Sequence, residues 1–305
     1  MMIDKTILVL MLHVTYDLTK NLVAPLEDIF KNVISYNYID RSNILGVKKM
    51  NTELIDLVKK EKPEYVFYHT YQDHIRLNTL DRIREMGSQI LCWGSDDQWR
   101  QSFSLAFCPH IDYTLTTDNV TAIKCKELGY KAIKTQWAAN PKYYMKLPFP
   151  KFTNISFVGQ LHSNRREYLE YIKKNFSQTK VFGRQAGGYI SFEDMIKVYN
   201  SSRINLHFAR GSNNDVQQIK ASAFAIPMCG AFLLTEYADG LEEYFELGKE
   251  IETFKSQQEA VTKIGFYLDN ENDRQTIAEA GYQRALKDHT YQKRFTDIFK
   301  QIEGL

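Results

Sequence analysis

Residues 217–245, QQIKASAFAIPMCGAFLLTEYADGLEEYF, read as four pieces in succession: a helix from Gln217, a sharp turn, a buried strand, and a loop that opens another helix. Loops feeding helix N-termini present free backbone N–H donors and a partial positive charge, so this order outlines a phosphate-binding pocket. The middle of the stretch, SAFA at 222–225, has a hydroxyl and a methyl where such pockets often carry charge. The frame is present and its charged groups are not.

Working outward, short apolar runs alternate with amphipathic ones along the whole chain. TILVLMLH is followed by a helical NLVAPLEDIFKN, then VISYNYID, then the helix NTELIDLVKKEK. YVFYHTY, QILCWGS, YTLTT and KAIKTQWA are further strand-like runs, separated by LNTLDRIREMG, a helix from DDQW, and NVTAIKCKELG. Strands of this length between longer helices imply crossover connections and a parallel sheet. Gly87 and Gly129 stand where helix C-caps belong. Pro141, Pro148 and Pro150 then mark a linker. Beyond it the alternation restarts with NISFVGQ, RREYLEYIKKN, KVFG, SFEDMIKVYNSS and RINLHFA. After the opening stretch, with GLEEYFELG read as a helix, come EIETF and SQQEAVTKIGFYLDN. NDRQTIAEAGYQRALKDH and YQKRFTDIFKQIEG are the terminal helices. The expected architecture is α/β: two consecutive doubly wound domains, at 1–147 and 148–287, with a terminal helical tail at 288–305. Ligands of such sheets bind beyond the carboxyl ends of the strands, where the winding reverses.

Bulk composition narrows the function classes. The chain has 305 residues, 44% of them hydrophobic and 25% charged, which suits two ordinary globular domains. A net charge of +2 creates no field of the kind a dedicated DNA binder uses. The 19 tyrosines and 18 phenylalanines suit either stacking on sugars and bases or an A+T-rich genome. Cys92, Cys108, Cys125 and Cys229 form no C-x-x-C pair, so neither a disulfide framework nor a zinc site is expected, and a reducing cytoplasm is the expected setting. The first apolar run is too short for a membrane span and has no leader cleavage site.

Five pieces taken together carry a resemblance: SFVGQLHSNRREYL, ISFEDMIKVYNSSRINLHF, FAIPMCGAFLLTEYADGLEEYF, EIETFKSQQEAVTKIGFYLDN and IAEAGYQRALKDHTYQKRF. In this order over most of 154–296 they resemble the glycosyltransferase-like domain of the CgeB spore-maturation group, a branch of the GT-B glycosyltransferases. ILCWGSDDQW and WAANPKYY extend the similarity more loosely into the first half. The resemblance implies two Rossmann-like domains facing across a cleft, a nucleotide-sugar donor held by the second domain and an acceptor held by the first. It also implies transfer without a bound metal or other cofactor, the protein itself supplying positive charge to the departing diphosphate.

Within that frame, Gly159 ends a strand and Arg165 and Arg166 open the next helix, where cations are unfavourable unless an anion is near. Gly183 and Arg184 form a second approach to the nucleotide. The Gly, Ser and Asn residues of RGSNND suit a loop of anion-facing amides, and Arg210 and Lys220 are candidates to neutralise phosphate. Gly230 and Glu236 complete the expected donor set. His207, inside an apolar strand, reads as a hydrogen-bonded core histidine. The resemblance implies Arg-x-Phe-Glu where this chain has Ser222-Ala223-Phe224-Ala225, and two glutamates eight positions apart where it has Gln217 and Ala225. Drift to a binding protein, an enzyme using other groups, or deliberate removal of two charges would each produce that departure.

In the first half, His13 ends the first strand and is the expected acceptor-side base, with Asp97 (beside Asp96) as the other catalytic candidate. Against these stand a strand-end histidine and a plain helix N-cap. His69 and His74 read as surface histidines. His289 and Tyr291 are expected to anchor the last helix, which the resemblance implies crosses back onto the N-terminal domain. The expected activity is sugar transfer from a nucleotide diphosphate, UDP among the candidates, to an unknown acceptor: a glycan, a protein, a small molecule or a modified nucleobase. A non-catalytic nucleotide- or sugar-binding module and a nucleotide-sugar epimerase are the alternatives.

Overall fold

The computed structural model describes residues 2–11, 19–185, 188–211 and 216–304. The chain divides into two compact units, one of Met1–Gln136 with Tyr291–Leu305 and one of Trp137–Thr290. Among the described residues no helix is long and apolar enough to cross a membrane.

The first unit runs β1 (Ile3–Met11), α1 (Ala24–Glu27), β2 (Phe30–Asn37), α2 (Tyr38–Leu45), α3 (Val47–Glu61), β3 (Tyr65–His69) and α4 (Leu77–Glu85). It continues through β4 (Gln89–Gly94), α5 (Asp97–Phe107), β5 (Tyr113–Thr116), α6 (Asn119–Glu127) and β6 (Ala132–Lys134). All strands are parallel, in the order β2-β1-β3-β4-β5-β6. Helices cover both faces, which is why the second half of β1 (Ile7–Met11) and most of β3 are apolar runs rather than alternating ones. The helix expected over 21–32 ends at Glu27, because Phe30 already pairs with Ile3 at the head of β2.

The second unit holds β7 (Thr153–Val158), α7 (Arg165–Asn175), β8 (Lys180–Phe182), α8 (Phe192–Ser201), β9 (Ser202–His207) and α9 (Ser222–Met228). β10 (Leu233–Glu236), β11 (Glu252–Phe254), α10 (Gln257–Asp269) and α11 (Glu271–Asp288) follow. Its parallel sheet has the order β11-β10-β9-β7-β8. The winding therefore reverses between β7 and β9, as it does between β1 and β3 in the first unit.

The proline-rich stretch is ordered along α8. The Asn200 side chain accepts from Leu147 N at 2.6 Å and donates to Met145 O at 2.9 Å. Trp137, Tyr144 and Leu147 pack in the second unit's core, so the contact boundary falls at 136/137 rather than at 147/148. At the other end, His289 stays with the second unit, its ring among Phe224, Tyr244 and Phe245 and its Nε2 2.7 Å from Tyr244 O.

From Tyr291 the chain returns to the first unit as α12 (Tyr291–Glu303). Phe299, fully buried, meets Phe30 and Tyr65 edge-on at 4.6 and 5.3 Å. Phe295 does the same to Phe67 at 5.5 Å, and Glu303 pairs with Lys5 at 2.8 Å.

Two local expectations fail, the first through backbone pairing that no helical pattern reveals. No helix starts at Gln217: Val216 O accepts from Gly211 N, and Gln218 N donates to Ala209 O, so 209–211 and 216–218 form a two-stranded arm. The helix begins only at Ser222. GLEEYFELG yields one 3-10 turn, Leu241–Glu243, entered through Gly240 at φ +82°.

Candidate functional site

The carboxyl edge of the second sheet, at the β7/β9 reversal, gathers most of the expected donor residues. Gly159 directly follows β7, and its N–H donates to Phe182 O at 2.9 Å. Gly183 has φ +149°, and a Cβ there would lie 2.1 Å from Gly159 O. The loops after β7 and β8 thus touch backbone to backbone, an approach open only to glycine.

Arg165 opens α7 but turns inward. It is buried, and its guanidinium donates to the carbonyls of Gln160 at 3.0 Å, Arg210 at 3.1 Å and Phe208 at 3.4 Å. The fixed fork of donors suits bridging several carbonyls at once. The expectation of Arg165 on a diphosphate is therefore corrected: its charge holds the loop after β7 to the segment after β9. Arg166, one position on, is exposed.

Glu236, buried at the end of β10, grips the same segment from its N–H side. Its carboxylate accepts from Ala209 N at 2.9 Å, Arg210 N at 3.4 Å and Asn164 Nδ2 at 3.0 Å, and it pairs with Arg210 Nε at 3.5 Å. Lys220 adds a bond from Nζ to Arg210 O. Residues 208–210 are thus pinned by a cation through their carbonyls and by an anion through their amides. The Arg210 side chain remains 39% exposed.

Two histidines stand beside these cations. His207 Nδ1 lies 2.8 Å from Thr235 Oγ1, and that hydroxyl donates to Glu236 O at 2.9 Å. The proton is therefore on Nδ1, leaving Nε2 a buried acceptor with no partner among the described residues. Burial, then Lys220 and Arg165, push its pKa well below the ordinary value. His207 is a core histidine, as the sequence implies. Burial, followed by Arg165 and Lys220, also lowers His162 to about 4, against a hydrogen bond to the Gly211 backbone. His162 and Asn164 escape sequence reasoning, their only signal being polar residues in the loop after Gly159.

The remaining donor candidates divide by position. Arg184 is exposed after β8, and Gln217 is half-buried opposite Arg210 in the arm. Ser212, Asn213 and Asn214 of the expected anion loop lie outside the described residues. Ser222 starts α9, and Ala225, one turn in, is buried in the core. Gly230 is a correction. It follows the C-terminal end of α9, at φ +64° against the Lys146 side chain, at the edge of the sheet remote from the strands' carboxyl ends.

In the first unit, His13 lies outside the described residues. Asp97 follows β4 but faces inward. It is 1% exposed, Ser104 donates to it, and a Cβ on Gly94 would lie 2.3 Å from its Oδ1. Burial, opposed by Ser104 and Thr116, raises it to about 6. Asp96, half-buried at the N-cap of α5, is more open than Asp97. His69 is not a surface residue: it is 4% exposed, 3.3 Å from Ser95 Oγ, and lowered by burial to about 4. His74 lies with its ring 6.0 Å from Tyr38. Among the described residues no group of His, Cys, Asp and Glu is arranged to hold a metal ion.

Residues 155–300 match the family described as glycosyl transferase-like. Among curated proteins none matches the sequence. Of solved structures, Anabaena HepE in complex with UDP-glucose is similar with a TM-score of 0.69 at 10% identity, over 99% of this chain and 100% of that one. Sucrose-phosphate synthase from Thermosynechococcus elongatus is similar at 0.64 and 9%, over 99% and 100%. A UDP-N-acetylglucosamine 2-epimerase from Listeria monocytogenes follows at 0.59 and 9%, over 99% and 98%. At these identities the likeness shows the fold alone. Residues 155–300 thus match a glycosyl transferase-like family model, and the two parallel-sheet units, each by itself, have the GT-B type of fold.

Proposed function

We propose that this chain is a glycosyltransferase, that it takes its sugar from a UDP-linked donor bound at the β7/β9 edge of the second unit, and that it belongs to the CgeB-like branch. The observation that carries the donor reading is the pinned segment 208–210, set at the strand-order reversal of the family-matched domain. UDP as the base carrier is supported by HepE, which has been solved with UDP and with UDP-glucose. The CgeB-like assignment is supported by the motif order over 154–296.

In this reading Arg166, Arg184, Arg210 and Lys220 supply the charge that a departing diphosphate needs, and no metal is required. Arg165 and Glu236 position the loops and leave the diphosphate to the others. His13 or Asp96 removes the acceptor proton, and the reaction runs in the cytoplasm, a setting supported by four buried, unbridged thiols. Calorimetry with UDP, GDP and their sugars tests the donor, and release of UDP from UDP-sugars tests turnover. Failure of every nucleotide to bind refutes the reading.

One observation favours a second reading. The first turn of α9 carries Ser222 and Ala225 where the resemblance implies Arg and Glu, so a binding module without turnover fits too. UDP binding with no sugar release, hydrolysis or epimerisation would select it.

A further inference from the structure

At the opposite end of the strands from the donor edge, the second unit gathers cations without matching anions. Thr153 and Ser202 pair where β7 and β9 begin, which sets the residues just before β7 alongside the end of α8 and the start of β9. Lys151, an exposed residue, turns its amine back to donate to Asn200 O at 2.6 Å, and Arg203 is the second residue of β9. Arg274 reaches the same place from α11, where it is buried and donates to Tyr267 O. Burial of the amine and then the charge of Arg274 lower the pKa of Lys151 to about 8. Burial also lowers Arg274, with Arg203 acting in the same direction against Glu271.

The carboxylates nearby answer other partners. Lys146 pairs with Glu279 at 2.6 Å, and Glu271 lies 3.6 Å from Arg274. Among the described residues neither Lys151 nor Arg203 has a carboxylate, and the Nε of half-buried Arg203 is a buried donor with no acceptor. A buried charged donor left bare is costly, and a second guanidinium beside it adds repulsion. An oxyanion removes both costs. A carboxylate brings one negative charge, whereas a phosphate monoester carries about −1.5 to −2 at pH 7 and three acceptor oxygens. That matches two unanswered charges, the fork of a guanidinium and the point charge of an ammonium.

We infer that the amino-terminal edge of the second sheet is a binding site for a phosphate group, held by Arg203, Lys151 and Arg274 and separate from the donor diphosphate. Phe149 and Phe152, exposed just before and after Lys151, suit a lipid as carrier of that phosphate as well as a free ion, and the test separates the two. The full chain is kept at constant ionic strength in chloride, with UDP in slight excess to fill the donor edge. Titration calorimetry with inorganic phosphate reads the free ion. Co-sedimentation with vesicles of phosphatidylcholine alone, or of equal parts phosphatidylcholine and phosphatidylglycerol, reads the lipid. Both arms are run on the parent, Arg203→Gln and Lys151→Gln, with melting curves to verify folding; Lys151→Gln alters an exposed residue and decides the matter if Arg203→Gln does not fold. The parent should bind in at least one arm, and each folded variant should lose about tenfold or more in affinity while UDP affinity stays within about twofold. Loss in the calorimetric arm assigns the site to a free phosphate, and loss in the phosphatidylglycerol arm alone to a lipid headgroup. Binding in neither arm, binding that both variants keep, or acetate binding as tightly as phosphate overturns the inference. UDP failing to bind refutes the donor reading alone, because dependence on Arg203 and Lys151 still decides this site.

Discussion

Removing the Glu236 carboxylate is the sharpest test of how the donor edge is held. In Glu236→Ala, Ala209 N loses a 2.9 Å acceptor and Asn164 Nδ2 a 3.0 Å one, and Arg210 loses its ion pair. A buried backbone N–H left bare costs about 1–3 kcal/mol, and hydrogen bonds to a charged acceptor are worth about 1.5–3 kcal/mol. The Arg210 pair is partly solvated and adds little. The total is about 3–5 kcal/mol. For a unit of this size each kcal/mol moves the midpoint by about 2–4 °C, so its melting should fall by roughly 6–20 °C. Glu236→Gln keeps the shape and one acceptor oxygen and should fall by about half as much. Differential scanning calorimetry reads the stability and titration calorimetry reads UDP affinity, which should drop in both variants because residues 208–210 lose their amide anchor. A shift below about 2 °C with unchanged UDP affinity would refute the claim that this carboxylate organises the site.

Gly183→Ala should lower UDP affinity by about tenfold or more, because its Cβ would lie 2.1 Å from Gly159 O at φ +149°; titration calorimetry checks it. Phe299→Ala, emptying a fully buried site between Phe30 and Tyr65, should destabilise the first unit by about 3–5 kcal/mol in urea titrations. Asp97 has a folded pKa raised to about 6, so the native state holds its proton more tightly than the unfolded chain, and stability from this group falls as pH rises from about 4 to 6. Asp97→Asn should therefore gain on the parent over that window, and a melting difference that is flat from pH 4 to about 7 counts against it. His69, lowered to about 4, has the opposite sign: its contribution is lost as pH falls from about 6.5 to 4, and His69→Gln should flatten the acid limb of the melting profile. Ser222→Arg with Ala225→Glu should raise UDP affinity by about tenfold while lowering stability, since Ala225 is 4% exposed; unchanged affinity would count against placing the donor there.

Much of this molecule is legible without coordinates, for a specific reason. Strands covered on both faces must be apolar end to end, so ILVLM, YVFYH and ILCWG are visible as runs, and the glycine caps at 87 and 129 are visible from backbone chemistry. The site is less legible. Arg165 and Arg166 are equivalent as letters, yet successive helical positions differ by about 100° around the axis, so one guanidinium turns under the loops and the other to solvent. Glu236 closes an apolar strand, and that single charge in LLTE was the available hint of its role. The arm at 209–218 left no periodic trace, because its pairing is between backbone groups.

The amino-acid order by itself determined two alternating strand-and-helix series, their linker, the returning last helix, and the segment from which donor residues come. The series and the linker follow from local periodicity and turn chemistry, which depend only on neighbours in the chain. The returning helix and the donor segment follow from the family resemblance. Only the tertiary structure decided that Arg165 binds carbonyls, that Asp97 is sealed inside the first unit, that Gly230 lies at the far edge of its sheet, and that residues 164, 209 and 236 meet. Those outcomes depend on which side chains burial brings within hydrogen-bond reach across long separations, and no local pattern encodes that distance.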